Sequence, residues 1–187
     1  MVAIAASAGG LSALGEVLSA LPADFPAAIV IVQHLDPRHR SLMAEILSRR
    51  TSLQVKQAED GDSLLPGTVY IAPPDNHLLV NRNGTISLSH SELVHFLRPS
   101  ADLMFDSVAA SYKDRAIAVV LTGSGKDGSL GVEAVKDMGG TVVVQDETSA
   151  EFPAMPSAAI ETGKVDFVLP LSEISSALVA LVVPAEA

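Results

Sequence analysis

Three polar residues, each placed after an apolar segment, could together carry out acyl transfer. They are Ser7, His34 and Asp127, and the preceding segments are MVAIAA, AAIVIVQ and AIAVVLT. A serine hydroxyl is a weak nucleophile until a base takes its proton, and imidazole can do so near neutral pH. A carboxylate on the other ring nitrogen orients the imidazole and stabilises its charged form. These residue types therefore predict a Ser-His-Asp hydrolase.

Small residues surround Ser7 and favour a tight strand-to-helix turn. The segment from Ala5 to Gly9 is close to the G-x-S-x-G pattern that presents a nucleophilic serine, with Ala5 in place of the first glycine. Backbone amides at the start of the following helix could stabilise a developing oxyanion. A serine in front of a helix is also a common N-cap. Capping therefore remains an alternative role for Ser7.

Other acids and histidines compete for the same roles. Asp146, with Glu147, follows the strand TVVVQ and could supply the acid in place of Asp127, and the pattern does not choose between them. Asp127 could also simply favour the N-terminal end of the next helix. Of the five histidines, only His34 directly follows a strongly apolar strand, and the two in the hairpin are expected to be solvated. The other four are His39, His77, His90 and His95.

Apolar strands alternate with amphipathic helices along the chain, which predicts an α/β fold. We expect a three-layer, doubly wound, mostly parallel central sheet flanked by helices. One β-hairpin insertion is predicted around Asn83-Gly84, and residues 154–163 are predicted as a helix or a turn. No linker is visible, so residues 1–187 are expected to form a single catalytic domain. Ligands of such sheets bind beyond the carboxyl ends of the strands, where the candidate residues lie.

The acidic balance of the chain excludes several function classes. There are 12 Lys and Arg against 22 Asp and Glu, which gives a formal net charge of −10. Binding to nucleic acid or to an anionic membrane surface is not expected of such a chain. No apolar run approaches the ~18 residues of a membrane span, so no membrane insertion is expected. The positively charged start of a signal peptide is missing, because the first Lys or Arg is Arg38.

Metal and nucleotide sites are also not predicted. The chain has no cysteine, which excludes disulfides, thiolate metal sites and cysteine nucleophiles. No acidic-histidine spacing typical of a metal site falls on a predicted helix. The loop TGSGKDGS departs from the phosphate-binding G-x-x-x-x-G-K-[ST] pattern, because Asp127 follows Lys126 and Val120 stands where the first glycine belongs.

The residues gathered above resemble the chemotaxis receptor methylesterase family, the CheB catalytic domain. The similarity runs along almost the whole chain, and its motifs are long, ordered and correctly spaced. The motifs are ASAGG with Ser7, VQHLDP with His34, DGDSLLPGTVYIAPPDNHL, LRPSADLMFDS, VVLTGSGKDGSLG with Asp127, and VVQDETSAEFPAMPSAAI.

The resemblance implies an activity and a role for each candidate residue. In that family the nucleophile, base and acid fall on the positions of Ser7, His34 and Asp127, which selects Asp127 over Asp146. The implied reaction is hydrolysis of γ-glutamyl methyl esters on the cytoplasmic helices of chemoreceptors, with release of methanol. Some members also deamidate receptor glutamines. The implied enzyme is cytoplasmic and needs no metal or organic cofactor.

Further residues are expected to line such a site. The turn after the first strand and the loop after AIAVVLT are the candidates for an oxyanion hole; their residues are Ala8, Gly9, Gly123, Ser124 and Gly125. Arg98, in LRPS, could pair with receptor carboxylates, and a structural ion pair or helix cap is an equally good reading. The family members best known from enteric bacteria carry Gly, Thr and Met where this chain has Ala5, Ala8 and Ser124, so substrate preference or rate is expected to differ.

The resemblance also bears on how the enzyme is regulated and how it docks on its receptor. Those enteric proteins carry an N-terminal receiver domain that inhibits the esterase until it is phosphorylated. Because this chain begins at the first catalytic strand, we expect an accessible site, with a receiver or a methyltransferase as further candidate partners. Docking on an acidic receptor would need a local basic patch, because like charges slow encounter; its candidates are Arg38, Arg40, Arg49 and Arg50.

Two other functions remain open at this point. One is a catalytically weak binding module of a signalling assembly, which loss of Ser7, His34 or Asp127 would have favoured. The other is a serine esterase that acts on a non-receptor ester, which the changes at Ala8 and Ser124 leave open.

Overall fold

Short segments, most of them aliphatic, form the seven strands of one parallel sheet in the described part of the chain. The structure, a computed structural model, describes residues 1–183. Five strands are fully buried or nearly so, because helices cover both faces of the sheet. The strands are β1 (Val2–Ala6), β2 (Ile29–Gln33), β3 (Gln54–Gln57), β4 (Thr68–Ile71), β7 (Ile117–Val120), β8 (Thr141–Gln145) and β9 (Phe167–Leu169). Between them, β5 (His77–Val80) and β6 (Ile86–Ser89) form a separate antiparallel hairpin.

The strand order is β3-β4-β2-β1-β7-β8-β9. On one side of β1 the chain places β2, then β3 at the edge, and then β4 between them. It returns to the centre with β7 and adds β8 and β9 on the other side. Neighbouring connections leave β1 and β7 in opposite directions, which opens a crevice at the carboxyl ends of these two strands. The predicted doubly wound topology is confirmed.

Within residues 1–183, six α-helices form the outer layers. They are α1 (Gly10–Ser19), α2 (Met43–Ser48), α3 (Ala101–Tyr112), α4 (Ser129–Asp137), α5 (Ala154–Glu161) and α6 (Leu171–Val182). The first apolar cluster joins one face of the sheet to α3, α4, α5 and the hairpin, and the second joins the other face to α1, α2 and α6. The segment predicted as a helix or a turn is thus a helix, α5, and three layers are present as expected.

Alternation along the central strand divides the core. Ala3 and Ala5 of β1 pack into the first cluster, whereas Val2, Ile4 and Ala6 pack into the second. Small residues on one side let α3 approach the sheet closely. Among the described residues no helix has the length and apolarity needed to cross a membrane, and the last four residues of the expected domain lie outside the described range.

Candidate active site

The carboxyl ends of the three central strands bring the candidate residues together. His34 directly follows β2, and its backbone N–H donates to the Ala6 carbonyl of β1 at 3.2 Å. Ser7 directly follows β1, and its N–H donates to the Thr122 carbonyl beyond β7 at 3.0 Å. Ser7 therefore lies between the strand that carries the histidine and the loop that leads to Asp127.

The side chains of His34 and Asp127 form a hydrogen-bonded pair. His34 Nε2 lies 2.7 Å from Asp127 Oδ2, and the side chains are 11% and 1% exposed. An ionised carboxylate can only accept, so the imidazole proton lies on Nε2 in the neutral ring. Nδ1 then remains as the nitrogen that can take a proton from a serine hydroxyl.

The first turn of α3 holds the Asp127 carboxylate. Ser100 Oγ donates to it at 3.1 Å, and the amides of Ala101 and Asp102 donate at 2.7 and 3.0 Å. Burial tends to raise the pKa of Asp127, but the hydrogen bond from His34 and the two amide hydrogen bonds outweigh burial, so the pKa lies below its ordinary value. The carboxylate is thereby kept ionised and fixed in position beside the imidazole.

These hydrogen bonds show which helix the Asp127 side chain contacts, and it is not the next helix in the chain. Its side chain does not cap α4, the helix that follows it in sequence, because the N-cap of α4 is Gly128 and has no side-chain hydrogen bond. The carboxylate binds the start of α3 instead, which lies about 25 residues earlier in the chain. Ser100 also caps α3, since its side chain accepts from the Leu103 amide.

Asp102 makes the reciprocal contact from α3 to α4. Its Oδ1 accepts from the amides of Gly128 and Gly131 at 2.9 and 2.8 Å. Burial raises the pKa of Asp102, and the nearby Asp127 charge raises it further, against the opposing effect of the two amides. The first turn of α3 thus binds a carboxylate from the loop before α4, and the first turn of α4 binds a carboxylate from α3. These two contacts fix the position of Asp127.

Ser7 does not cap the helix that follows it. The N-cap of α1 is Gly9, with φ of 75° and no side-chain hydrogen bond. The Ser7 carbonyl accepts from the Gly10 amide at 2.8 Å, so the backbone rather than the hydroxyl closes this turn. Within residues 1–183 the hydroxyl makes no hydrogen bond to His34, and its role as nucleophile stays a prediction.

One of the candidate oxyanion amides, that of Gly123, is already engaged, and so is the amide of Ser7 itself. The Ser7 amide donates to Thr122, and the Gly123 amide donates to the Phe152 carbonyl at 2.9 Å. The remaining candidates have no backbone acceptor in the described part of the chain; they are the amides of Ala8, Gly9, Ser124 and Gly125. A Cβ at Gly123 would lie 2.8 Å from Ser7 Cβ, so glycine lets this loop approach the serine.

Gln33 connects the Ser7 and His34 turns, a role that was not predicted from the sequence. It is the last residue of β2 and is 6% exposed. Its Nε2 donates to the Ser7 carbonyl at 2.8 Å and to the His34 carbonyl at 3.1 Å. One carboxamide therefore ties the turn of the predicted nucleophile to that of the predicted base. The only sequence signal was a polar residue at the end of a wholly apolar strand.

Arg98 is engaged in a structural ion pair. Its Nη2 donates to Asp75 Oδ1 at 2.7 Å, and its Nη1 donates to the Ser91 carbonyl at 2.7 Å. The contact fits the structural alternative, and pairing with receptor carboxylates stays a prediction. Asp146, the other acid considered, accepts from the Ser149 amide within its own loop, and among the described residues it makes no hydrogen bond to His34.

One expectation about the histidines is wrong. His77, predicted to be solvated, is fully buried; its Nδ1 accepts from the Ser100 amide at 3.1 Å, and its Nε2 lies 3.0 Å from the Glu92 carbonyl. It therefore supports the segment before α3. The hairpin position suggested solvent, but α3 covers that end of the strand. His90 is exposed, as expected.

In the described part of the chain, one cavity adjoins Ser7 and another adjoins His34. An open cleft of about 490 Å³ runs beside Ser7, between Gln33 and Arg50. A smaller cavity of about 270 Å³ lies beside His34 and is bounded by Phe96 and Arg98. Both lie at the carboxyl edge of the sheet, where an ester bound to the serine would sit.

The fold and the site together define an α/β protein that carries a serine, a hydrogen-bonded histidine and aspartate at the carboxyl edge of its central sheet. A family model described as CheB methylesterase matches residues 2–178. The chain belongs to this family, as the motifs predicted.

Solved and curated relatives agree with the family assignment. The crystal structure of the Thermotoga maritima CheB methylesterase catalytic domain superposes with a TM-score of 0.93 at 42% identity, covering 97% of both chains. A relative from Leptospira interrogans is 41% identical over 96% of this chain and 93% of its own length. The Myxococcus xanthus protein-glutamate methylesterase FrzG is 42% identical over 95% of this chain but only 53% of its own length. A Thermotoga maritima protein-glutamate methylesterase/protein-glutamine glutaminase is likewise covered over 54% of its length, so the chain spans about half of these two relatives.

Proposed function

We propose that this chain is a protein-glutamate methylesterase that hydrolyses γ-glutamyl methyl esters on the cytoplasmic helices of chemoreceptors. Ser7 is the nucleophile, His34 the general base and acid, and Asp127 the residue that orients His34. The observation that carries the proposal is the 2.7 Å contact between His34 Nε2 and Asp127 Oδ2, held at the strand end next to Ser7. The names of the relatives support the choice of ester.

The reaction proceeds in two acyl-transfer steps. Ser7 Oγ attacks the ester carbonyl carbon while its proton moves to His34 Nδ1. The carbon–methoxy bond then breaks, and the imidazolium returns the proton to the leaving oxygen, so methanol departs. A water molecule, deprotonated by His34, attacks the acyl-serine. Its hydrolysis yields the glutamate side chain and restores Ser7.

The acid and the turn amides stabilise charge during these steps. Ionised Asp127 favours the imidazolium that forms in each step. The free amides of the Ala8–Gly9 turn and of the Ser124–Gly125 segment are the donors available to the oxyanion. Glutamine deamidation follows the same path with ammonia as the leaving group, and the name of the Thermotoga maritima relative includes both activities.

Methanol release from methylated chemoreceptor membranes tests this function. We expect release by the wild type and a loss of roughly a thousandfold or more in Ser7→Ala, because the acyl-enzyme cannot form. Ser19→Ala, at an exposed serine at the opposite end of α1, serves as the matched control and should retain activity. A folded wild type that releases no methanol would overturn the proposal, and the binding module or a non-receptor ester would replace it.

A further inference from the structure

We propose that Phe96, at the tip of a two-residue turn beside the active site, is an apolar anchor for the protein substrate. The partner is the methylated receptor helix itself, and Phe96 would contact an apolar side chain of this helix next to the esterified glutamate. The inference rests on the proposed function and concerns how that substrate is held.

The turn presents Phe96 to solvent in an unusual backbone conformation. Val94 and Leu97 exchange two backbone hydrogen bonds of 3.0 and 2.9 Å, which closes a tight antiparallel turn over His95 and Phe96. These two residues have φ of 48° and 65°. Such values suit the turn type that joins two strands by two residues, where Asn and Gly are usual and an aromatic residue is a rarity.

Phe96 contributes little to the stability of the fold, because its side chain is almost fully exposed. Its relative exposure is 93%, and Leu93 at the base of the same loop is 51% exposed. An aromatic ring so exposed buries almost no area within the chain, although burial is what makes such a ring stabilising. The ring and the strained turn therefore fit a contact made with another molecule.

The base of the loop is held rigidly. Arg98, one residue beyond the turn, ties it to Asp75 and to the Ser91 carbonyl. A ring on a fixed support loses little freedom when it binds, which favours affinity. The same arginine and ring, together with His34, line the cavity of about 270 Å³.

Because His34 and Phe96 line the same cavity, a substrate bound at His34 would also lie against the Phe96 ring. A glutamyl side chain places its ester carbon only about 4 Å from its own Cα, so the substrate backbone must pass close to the serine and histidine. A helix is about 10 Å wide with its side chains, so it would cover the rim around His34. A substrate helix bound for reaction would therefore contact Phe96.

The charge of the chain makes an apolar anchor useful. The net charge of −10 opposes attraction to an acidic partner. Two arginines considered for docking are already paired, Arg38 with Asp36 and Arg40 with Glu45. Apolar contact does not depend on the sign of either surface charge.

The test compares one ester in two settings. kcat/KM is measured on a methylated receptor fragment and on N-acetyl-glutamate γ-methyl ester, and their ratio is the readout. We expect Phe96→Ser to lower the ratio about tenfold, through a higher KM on the receptor. Phe96→Leu should recover most of the ratio. Met138→Ser removes a 51% exposed side chain at the far end of α4 and should leave the ratio unchanged.

The outcomes separate the anchor from the proposed function. An unchanged ratio in Phe96→Ser, or an equal fall in Met138→Ser, overturns the anchor while the esterase stands. A change in self-association of Phe96→Ser with both rates unaltered assigns the ring to a second copy and also overturns it. If the wild type hydrolyses the small ester but not the receptor ester, both the receptor function and the anchor fail.

Discussion

At the scale of single residues, the site depends on a buried side chain that has no chemical role in the proposed reaction. Gln33 donates to the carbonyls of both Ser7 and His34. Its Oε1 is buried and has no hydrogen-bond partner among the described residues. A Cβ on Gly10 would lie only 1.9 Å from this oxygen, so the glycine makes room for the carboxamide. The position of the serine turn relative to the histidine thus depends on one buried amide.

Replacing Gln33 with methionine should lower kcat more than it changes KM. Methionine keeps the length and apolar body of the side chain but removes both donated hydrogen bonds, each worth about 1 kcal/mol. A tenfold to hundredfold loss of kcat is expected from a misplaced serine turn, on the order of 1–3 kcal/mol of barrier. Steady-state kinetics on the methyl ester provide the measurement.

The matched control for this substitution is Gln54→Met. Gln54 begins β3, an edge strand, and is exposed. It should leave kcat unaltered. A full kcat in Gln33→Met, in a protein that melts like the wild type, would show that the carboxamide does not position the site.

At the scale of elements, α3 and α4 position the acid by exchanging carboxylates. Asp127 precedes α4 and binds the first turn of α3, whereas Asp102 of α3 binds the first turn of α4. Two carboxylates held this close repel each other, and the pKa shifts are opposite: Asp127 is lowered and Asp102 is raised. The arrangement keeps the charge on the residue next to His34.

The raised pKa of Asp102 predicts a pH dependence of stability. A carboxyl with a raised folded-state pKa binds its proton more tightly in the folded state. Wild-type stability from this group should therefore fall as the pH rises from its ordinary value of about 3.9 through the folded value. Asp102→Asn keeps Oδ1 as an acceptor for Gly128 and Gly131 but removes the charge. The variant should gain stability relative to the wild type as the pH rises from about 4 to 7.

Urea midpoints at a series of pH values measure this effect. Asp106→Asn, an exposed acid on the same helix, serves as the control and should follow the wild type across the range. Parallel curves for Asp102→Asn and the wild type would contradict the assigned direction of the shift.

The exchange of carboxylates also shows what the sequence could not predict. Apolar runs and turn signals located every strand and helix that positions the site, because burial imposes a local pattern. The Ser100 cap of α3 is likewise a local contact, made with an amide three residues further along the chain. The partner of Asp127 was not predictable, because it lies on another helix and depends on how the two pack.

At the scale of the whole molecule, the doubly wound sheet creates the site. Ser7 ends β1, His34 ends β2, and the loop after β7 carries Asp127, so three neighbouring strands each supply one group. Strand-end positions made Ser7 and His34 candidates from alternation alone, whereas the choice of Asp127 over Asp146 came from the resemblance to the family. The buried His77 and the bridging Gln33 were not predictable, because both depend on contacts across the sheet and its covering helices.

The family match extends this organisation to relatives of different length. The same fold occurs in the Thermotoga maritima catalytic domain with a TM-score of 0.93. Because fold alone does not fix the substrate, we expect residues around the carboxyl edge to determine which ester this chain accepts. Ala8, Ser124 and the Phe96 turn lie at that edge in this chain.

The central claim is that Ser7 and His34 act as one unit, and a double-variant comparison tests it most directly. kcat for methyl ester hydrolysis is measured for Ser7→Ala, for His34→Gln and for the protein carrying both substitutions. If the base acts only through the serine, each single variant should lose roughly a thousandfold or more, and the double variant should lose about the same amount. Losses that multiply in the double variant, or a His34→Gln protein with nearly full kcat, would contradict the account.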